Sequence, residues 1–161
     1  MSFNSPEQWM QQALELAELA ASNNEVPVGA IVVLEGEIIG CGSNGPIGRC
    51  DPTAHAEIQA LQQAAAAIGN YRLVNADLYV TLEPCAMCAG AIVHSRIRTL
   101  HFGALEPKSG AVQSNLRLLE QECMNHKVLV VAGIQAESCS AVISDFFARR
   151  RAEKKRQKQN L

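Results

Sequence analysis

His55 and Glu57 in the run Thr53-Ala54-His55-Ala56-Glu57, with Cys85 and Cys88 in the run Glu83-Pro84-Cys85-Ala86-Met87-Cys88, are the residues best equipped for chemistry. An imidazole and two thiolates form a zinc donor set. Three protein ligands leave one tetrahedral position open, whereas a structural zinc usually has all four closed by Cys or His. Water at an open position has its pKa lowered from about 15.7 to near 7, so the pattern points to metal-assisted hydrolysis. Glu57 is then a spare carboxylate whose work is to move protons. The competing readings are unrelated core residues, or a closed zinc clip with Cys50 as fourth ligand. An H-x-E element followed by P-C-x-x-C, each placed where a helix begins, favours the open site.

The elements that must position these groups follow from local signals. Ser5-Pro6-Glu7-Gln8 reads as a capping box that starts a helix, with Trp9, Met10, Ala13, Leu16, Ala17 and Ala20 on one face and Asn23-Asn24 as its end. Residues 28–34 and 37–41 are β-type runs joined by Glu35-Gly36, a hairpin. Residues 42–52, rich in Gly and Pro, predict a surface loop. A helix over 52–68 carries His55 in its first turn, and Gly69-Asn70 closes it. A strand over 77–82 leads to a helix opened by Pro84, running to about His94, with Cys85 and Cys88 on one face. Strands over 98–102 and 128–131 follow, then a helix from about Ala136 with Cys139, Val142, Ile143, Phe146 and Phe147 turned inward.

Helices between strands predict an α/β class chain, a three-layer α/β/α domain on a five-stranded mixed sheet. His55 and Glu57 would point apart inside a helix, so the ion must lie off the helix end, between two helix N-termini whose partial positive charge favours thiolates.

At 161 residues and 48% hydrophobic, the chain supports one core, hence a single domain over 1–161 with 149–161 as a basic helical extension. No run of about 20 apolar residues and no leader pattern is present, which predicts a cytoplasmic chain without membrane contact. Six cysteines in so apolar a chain read as reduced thiols, with Cys41, Cys123 and Cys139 filling apolar space. His94, His101 and His126 lack ligand spacing and read as structural or surface groups. The net charge of −2 hides an asymmetry, because half of the 14 Lys and Arg lie between Arg149 and Lys158. That density makes nucleic-acid contact a better reading than a solvated helix end, which needs only one or two cations.

The metal motifs, together with residues 25–30 (EVPVGA), 43–49 (SNGPIGR), 51–57, 82–91, 94–97 (HSRI), 124–126 (MNH) and 145–147 (DFF) with the basic sequel, resemble the bacterial tRNA-specific adenosine deaminases of the cytidine-deaminase-like superfamily. The resemblance spans nearly the whole chain. It implies a cytidine-deaminase-like fold, one Zn2+ per subunit on His55, Cys85 and Cys88, and Glu57 as proton shuttle. The implied reaction is hydrolysis of adenosine to inosine at the wobble position of a tRNA anticodon stem-loop, by a homodimer. It also puts Asn44 and the Ala56 backbone on the flipped base, with Val28 lining its pocket; Asn44 in such a loop otherwise reads as a turn residue. The segment 106–110 matches a loop near the RNA backbone, where Glu106 replaces the family's usual Asp and Lys108 is a phosphate contact or a solvated lysine. The Phe146-Phe147 pair reads as core or as a stacking platform, with one ring in and one near RNA favoured, and Phe147, Arg149 and Arg150 are the remaining RNA-contact candidates. Guanine or cytosine deamination on free bases or nucleosides is the alternative, and a catalytically silent RNA-binding subunit is disfavoured by the presence of Glu57.

Overall fold

The computed structural model describes residues 4–161. The first helix, α1 (Pro6–Ser22), starts as its capping box dictates: the Gln8 N–H donates to Ser5 Oγ at 3.2 Å and the Ser5 N–H donates to Gln8 Oε1 at 2.7 Å. Strands β1 (Gly29–Leu34) and β2 (Glu37–Ser43) pair antiparallel, as the hairpin signal predicts. The remaining elements are α2 (Pro46–Arg49), α3 (Ala56–Ile68), β3 (Asp77–Leu82), α4 (Ala86–His94), β4 (Thr99–Ala104), a 3-10 turn (Leu118–Glu120), β5 (Leu129–Ala132) and α5 (Ala136–Gln159).

The strands form one five-stranded mixed sheet in the order β2-β1-β3-β4-β5. β1 is antiparallel to both neighbours, while β3, β4 and β5 run parallel. Alternate residues of β1 face opposite ways, and both ways are covered. Ile31 and Val33 meet Trp9, Met10 and Ala13 of α1, with Cys139 of α5 in the same cluster. Ala30 and Val32 join Ala60 and Ala64 of α3 and Ile92 of α4 on the other side. The three-layer α/β/α arrangement and the five-stranded mixed sheet are as expected.

Several local expectations need correction. The helix over 52–68 begins four residues late, because Asp51 takes the Thr53 N–H at 2.8 Å and the Thr53 hydroxyl at 2.7 Å, holding that stretch in a turn. His55 is therefore the N-cap rather than a first-turn residue. Pro84 likewise does not open α4; Cys85 is its N-cap in extended backbone (φ −75°, ψ 177°). The surface loop 42–52 contains the single turn α2, stabilised by Glu25 as described below. Cys123 is exposed and Cys41 half-buried, so of the three lone cysteines expected inside only Cys139 is buried. Phe146 is buried and Phe147 is 43% exposed, so the pair splits with one ring inward and one outward, as expected of the pair. Only the inward placement of both rings is corrected, because adjacent helix positions cannot both face the sheet.

Tight contact sets α3 against the sheet. A Cβ at Gly42 would collide with the Ala56 carbonyl, so glycine there lets the start of α3 lie directly on β2 and fixes where His55 and Glu57 emerge. No helix among the described residues is long and apolar enough to cross a membrane.

Candidate active site

His55 leads into α3 and Cys85 into α4, so the two helix N-termini converge on one point. The His55 Nδ1 lies 3.6 Å from Cys85 Sγ and 3.5 Å from Cys88 Sγ. These three ligand atoms all lie within 4.8 Å of one another, and they are the one such group among the described residues. Zinc bonds of about 2.3 Å to sulfur and 2.0–2.1 Å to nitrogen, at tetrahedral angles, separate N from S by roughly 3.5–3.6 Å. The donor set thus fits a tetrahedral ion. Cys50 is outside the group: it is exposed, with its thiol 3.7 Å from the Ile47 carbonyl. A closed clip through Cys50 is ruled out by that placement.

The thiols divide their proton unequally. A hydrogen bond from Cys88, together with His55, holds the Cys85 thiol down at about 4. Cys88, as the donor and more deeply buried partner, is pushed up. His55 is raised, first by its hydrogen bond with Cys85. Glu57 is 4% exposed and burial pushes its carboxyl above the usual range. Its surroundings are Cys88, His55 and its own backbone N–H, all at the mouth of the donor set.

A cleft of about 310 Å³ opens over these groups, lined by Val28, Asn44, His55, Glu57, Cys85 and Glu106 among others. That volume suits a single small ring system. Asn44 donates from Nδ2 to the Val26 carbonyl at 3.1 Å, which fixes the amide and leaves Oδ1 available to an incoming donor. It is therefore both a turn-holding residue and a cleft residue. Ala56, Lys108, Phe147, Arg149 and Arg150 are not among the described residues lining the cleft. Ala56 is buried at the first position of α3, so only its backbone N–H is on offer. Glu106 lines the cleft and accepts the Lys108 N–H at 2.9 Å, an internal turn that leaves the lysine exposed. Arg149 donates to the Ala21 carbonyl at 2.9 Å and stacks 5.5 Å above the Phe146 ring, so it caps the end of α1. Arg150 pairs with Glu153 at 3.2 Å.

Two buried carboxylates missed by motif reading hold the cleft walls. Glu25 accepts the Ile47 and Gly48 N–H groups, each at 3.0 Å, and so caps α2 beside Asn44. Glu83, 2% exposed, accepts from the N–H groups of Glu106 (3.0 Å), Val112 (3.1 Å), Gln113 (2.8 Å) and Ser114 (2.9 Å) and from the Ser114 hydroxyl (2.5 Å). A Cβ at Gly110 would collide with this carboxylate, so the loop closes around it. A lone acid beside a metal motif carries no periodicity or spacing that announces such a role. Burial alone would raise the Glu83 pKa, yet these hydrogen bonds outweigh it and hold the carboxyl at about 2 rather than 4.5.

The folded pKa is depressed, so Glu83 stabilises the fold fully above the unfolded value near 4.5 and loses that contribution as pH falls toward 2. The difference corresponds to about 3 kcal/mol. Glu83→Gln turns an acceptor into a partial donor against four N–H groups. Chemical denaturation at pH 7 should show a loss of about 2–4 kcal/mol, and the variant's stability should fall less steeply than the parent's between pH 5 and pH 2. Equal stability of the two chains at pH 7 would contradict the clamp.

Fold and donor set together define the class, a cytidine-deaminase-like hydrolytic deaminase. The MafB19-like deaminase family model matches residues 4–151. The tRNA-specific adenosine deaminase of Haemophilus influenzae is 53% identical over 153 residues, covering 94% of this chain and 88% of the relative. That of Bacillus subtilis is 43% identical, covering 96% of each. A solved structure from work on A-to-I editing by tRNA:A34 deaminases at the wobble position superposes with a TM-score of 0.82 at 44% identity, covering 83% of this chain and 97% of that one. The chain belongs to the tRNA-specific adenosine deaminase family.

Proposed function

We propose that the chain is a zinc-dependent hydrolase that converts adenosine to inosine at the wobble position of a tRNA anticodon and releases ammonia. The observation that carries this reading is the His55, Cys85 and Cys88 donor set at the floor of a ring-sized cleft, with buried Glu57 beside it and Asn44 on the wall. The high identity to relatives named for this activity supports the choice of substrate.

His55, Cys85 and Cys88 would hold one Zn2+, which when bound supplies the Lewis acidity that makes hydroxide available at neutral pH. Asn44 and Val28 seat the flipped adenine, and the Ala56 N–H, unused at the start of α3, meets its edge. Glu57 takes a proton from the attacking water and delivers it to N1 while oxygen bonds to C6. Glu57, again a carboxylate, then takes the proton of the new C6 hydroxyl and passes it to the amino nitrogen as the C6–N bond breaks, so that ammonia leaves and the C6 carbonyl of inosine remains. Glu57 is nearly buried yet lines the cleft, so its carboxyl faces the space that substrate and water would occupy. Glu106, Lys108, Phe147 and the basic end of α5 meet the flanking RNA, with Arg149 already anchored on α1. The exposure of Phe147, edge-on to Phe146 at 5.3 Å, supports reading its ring as a surface for base stacking.

The homodimer reading is supported by a groove of about 350 Å³ between α3 and α4, lined by Ile58, Leu61, Ala65, Tyr71 and Ala91. Ile68 and Met87 are exposed on the same helices.

Purified protein incubated with anticodon stem-loops, free adenosine, cytosine and guanine should form inosine in RNA containing a wobble adenosine and release no ammonia from free cytosine or guanine. Ammonia from a free base, with none from RNA, would transfer the chain to the guanine or cytosine deaminases.

A further inference from the structure

A second cleft, of about 480 Å³, opens at the other end of the sheet from the candidate active site. Arg72 and Asn75 from the approach to β3, Arg96 and Arg98 from the turn before β4, and His126 and Lys127 from the approach to β5 all line it. β3 (Asp77–Leu82) runs from the one cleft toward the other and spans about 17 Å at about 3.3 Å per residue.

The charge in this cleft is not balanced by the protein. Arg98 is neutralised, since Asp77 accepts from its Nε at 3.0 Å and its Nη2 at 2.8 Å. Arg72, Arg96 and Lys127 enter no salt bridge among the described residues, and no Asp or Glu among those residues lines the cleft. Three like charges gathered in a chain of net charge −2 repel one another and raise the energy of the fold. An anion in the cleft would relieve that repulsion.

The guanidinium groups are also oriented. Arg72 donates from Nε to the Tyr71 hydroxyl at 3.0 Å and lies 5.5 Å over the Tyr71 ring, which leaves both of its terminal nitrogens free. Arg96 occupies left-handed backbone (φ 61°) and uses Nη1 on the Val93 carbonyl at 2.9 Å, leaving Nη2 free. The His126 Nε2–H donates to the Ile97 carbonyl at 2.8 Å and ties the two loops together. Paired N–H donors of fixed direction match the oxygens of a phosphodiester. No Phe, Tyr or Trp among the described residues lines the cleft, and the His126 ring is tied to the Ile97 carbonyl, so the lining presents cations in place of a stacking platform for the base of a free nucleotide.

We propose that Arg72, Arg96 and Lys127 form a second RNA-binding cleft that holds substrate phosphates lying outside the anticodon stem-loop. This rests on the reading of the chain as a tRNA deaminase. The cleft adds affinity for the body of the tRNA and takes no part in the chemistry.

The test compares the parent with the charge-reversed double variant R72E/K127E on intact tRNA and on the isolated anticodon stem-loop, across salt concentrations. Both side chains are exposed. The variant should raise KM for intact tRNA by at least about tenfold, keep kcat, and flatten the slope of log KM against log salt by about 2. KM for the stem-loop should stay unchanged, and the charge-conserving R72K/K127R variant should restore binding of intact tRNA. Unchanged KM and slope on intact tRNA would overturn the proposal, as would an equal loss on both RNAs. Titration of the parent with inorganic phosphate, followed by NMR at Lys127, separates a free-phosphate site. Saturation there with no effect of the variant on tRNA also overturns the proposal. Failure of the parent to deaminate any RNA would instead remove the functional reading itself.

Discussion

Replacing Glu57 by Gln is expected to lower kcat for wobble deamination by about 10³- to 10⁴-fold while metal content and fold are retained. The amide keeps the shape of the side chain and fills the same buried space, 4% exposed, beside His55 and Cys88. What it loses is the ability to accept a proton from water and return it to substrate. KM for the RNA should change little, since the carboxylate acts on N1 and on ammonia rather than on the nucleic-acid backbone. Inosine formation in single-turnover assays, beside metal analysis of the same preparation, checks both halves. Loss of the metal on this substitution would make Glu57 a ligand and not a shuttle. Retention of full activity would place the proton transfer elsewhere.

Cys88→Ala should reduce zinc from about one ion per chain to near zero and lower kcat by at least about 10³-fold, because Lewis-acid activation contributes several kcal/mol to such reactions. Cys88 is fully buried at the inner side of the donor set, and no other thiol or imidazole lies in the group to take its place. Chelation of the parent should give the same loss, reversed on adding Zn2+, whereas the variant should not recover. Atomic absorption on both proteins, read with inosine formation before and after reconstitution, gives the answer. A variant that keeps its ion and its turnover would dismiss the His55, Cys85 and Cys88 assignment.

Much of the frame was legible because its signals are local. The capping box at Ser5 and Gln8 and the apolar period of α1 depend on neighbours a few residues away, and they appear in the fold where the pattern predicts them. The hairpin at Glu35-Gly36 is another case, with both turn residues at positive φ. Helix starts were less legible. The pattern extends α3 back to residue 52, yet the Asp51 side chain competes for the Thr53 N–H and delays the helix to Ala56. The roles of Glu25 and Glu83 could not be read at all. Their partners lie 22 to 31 residues away, in the single turn α2 and in a loop with no periodicity, so only the folded chain brings a lone carboxylate to several backbone N–H groups.

By itself the sequence determined the donor types, their spacing and the layered α/β architecture, since ligand chemistry and hydrophobic period are properties of residue type and order. It also determined that the ion must sit beyond the helix ends, because a histidine and a carboxylate two positions apart diverge within a helix. The tertiary structure alone decided that His55 and Cys85 are N-caps, that Cys50 stands apart, and that Arg149 closes the end of α1. It alone gathered Arg72, Arg96 and Lys127 into one cleft from segments separated by 24 and 31 positions. Such contacts depend on where three strands end in space, and chain order carries no record of that until the sheet has formed.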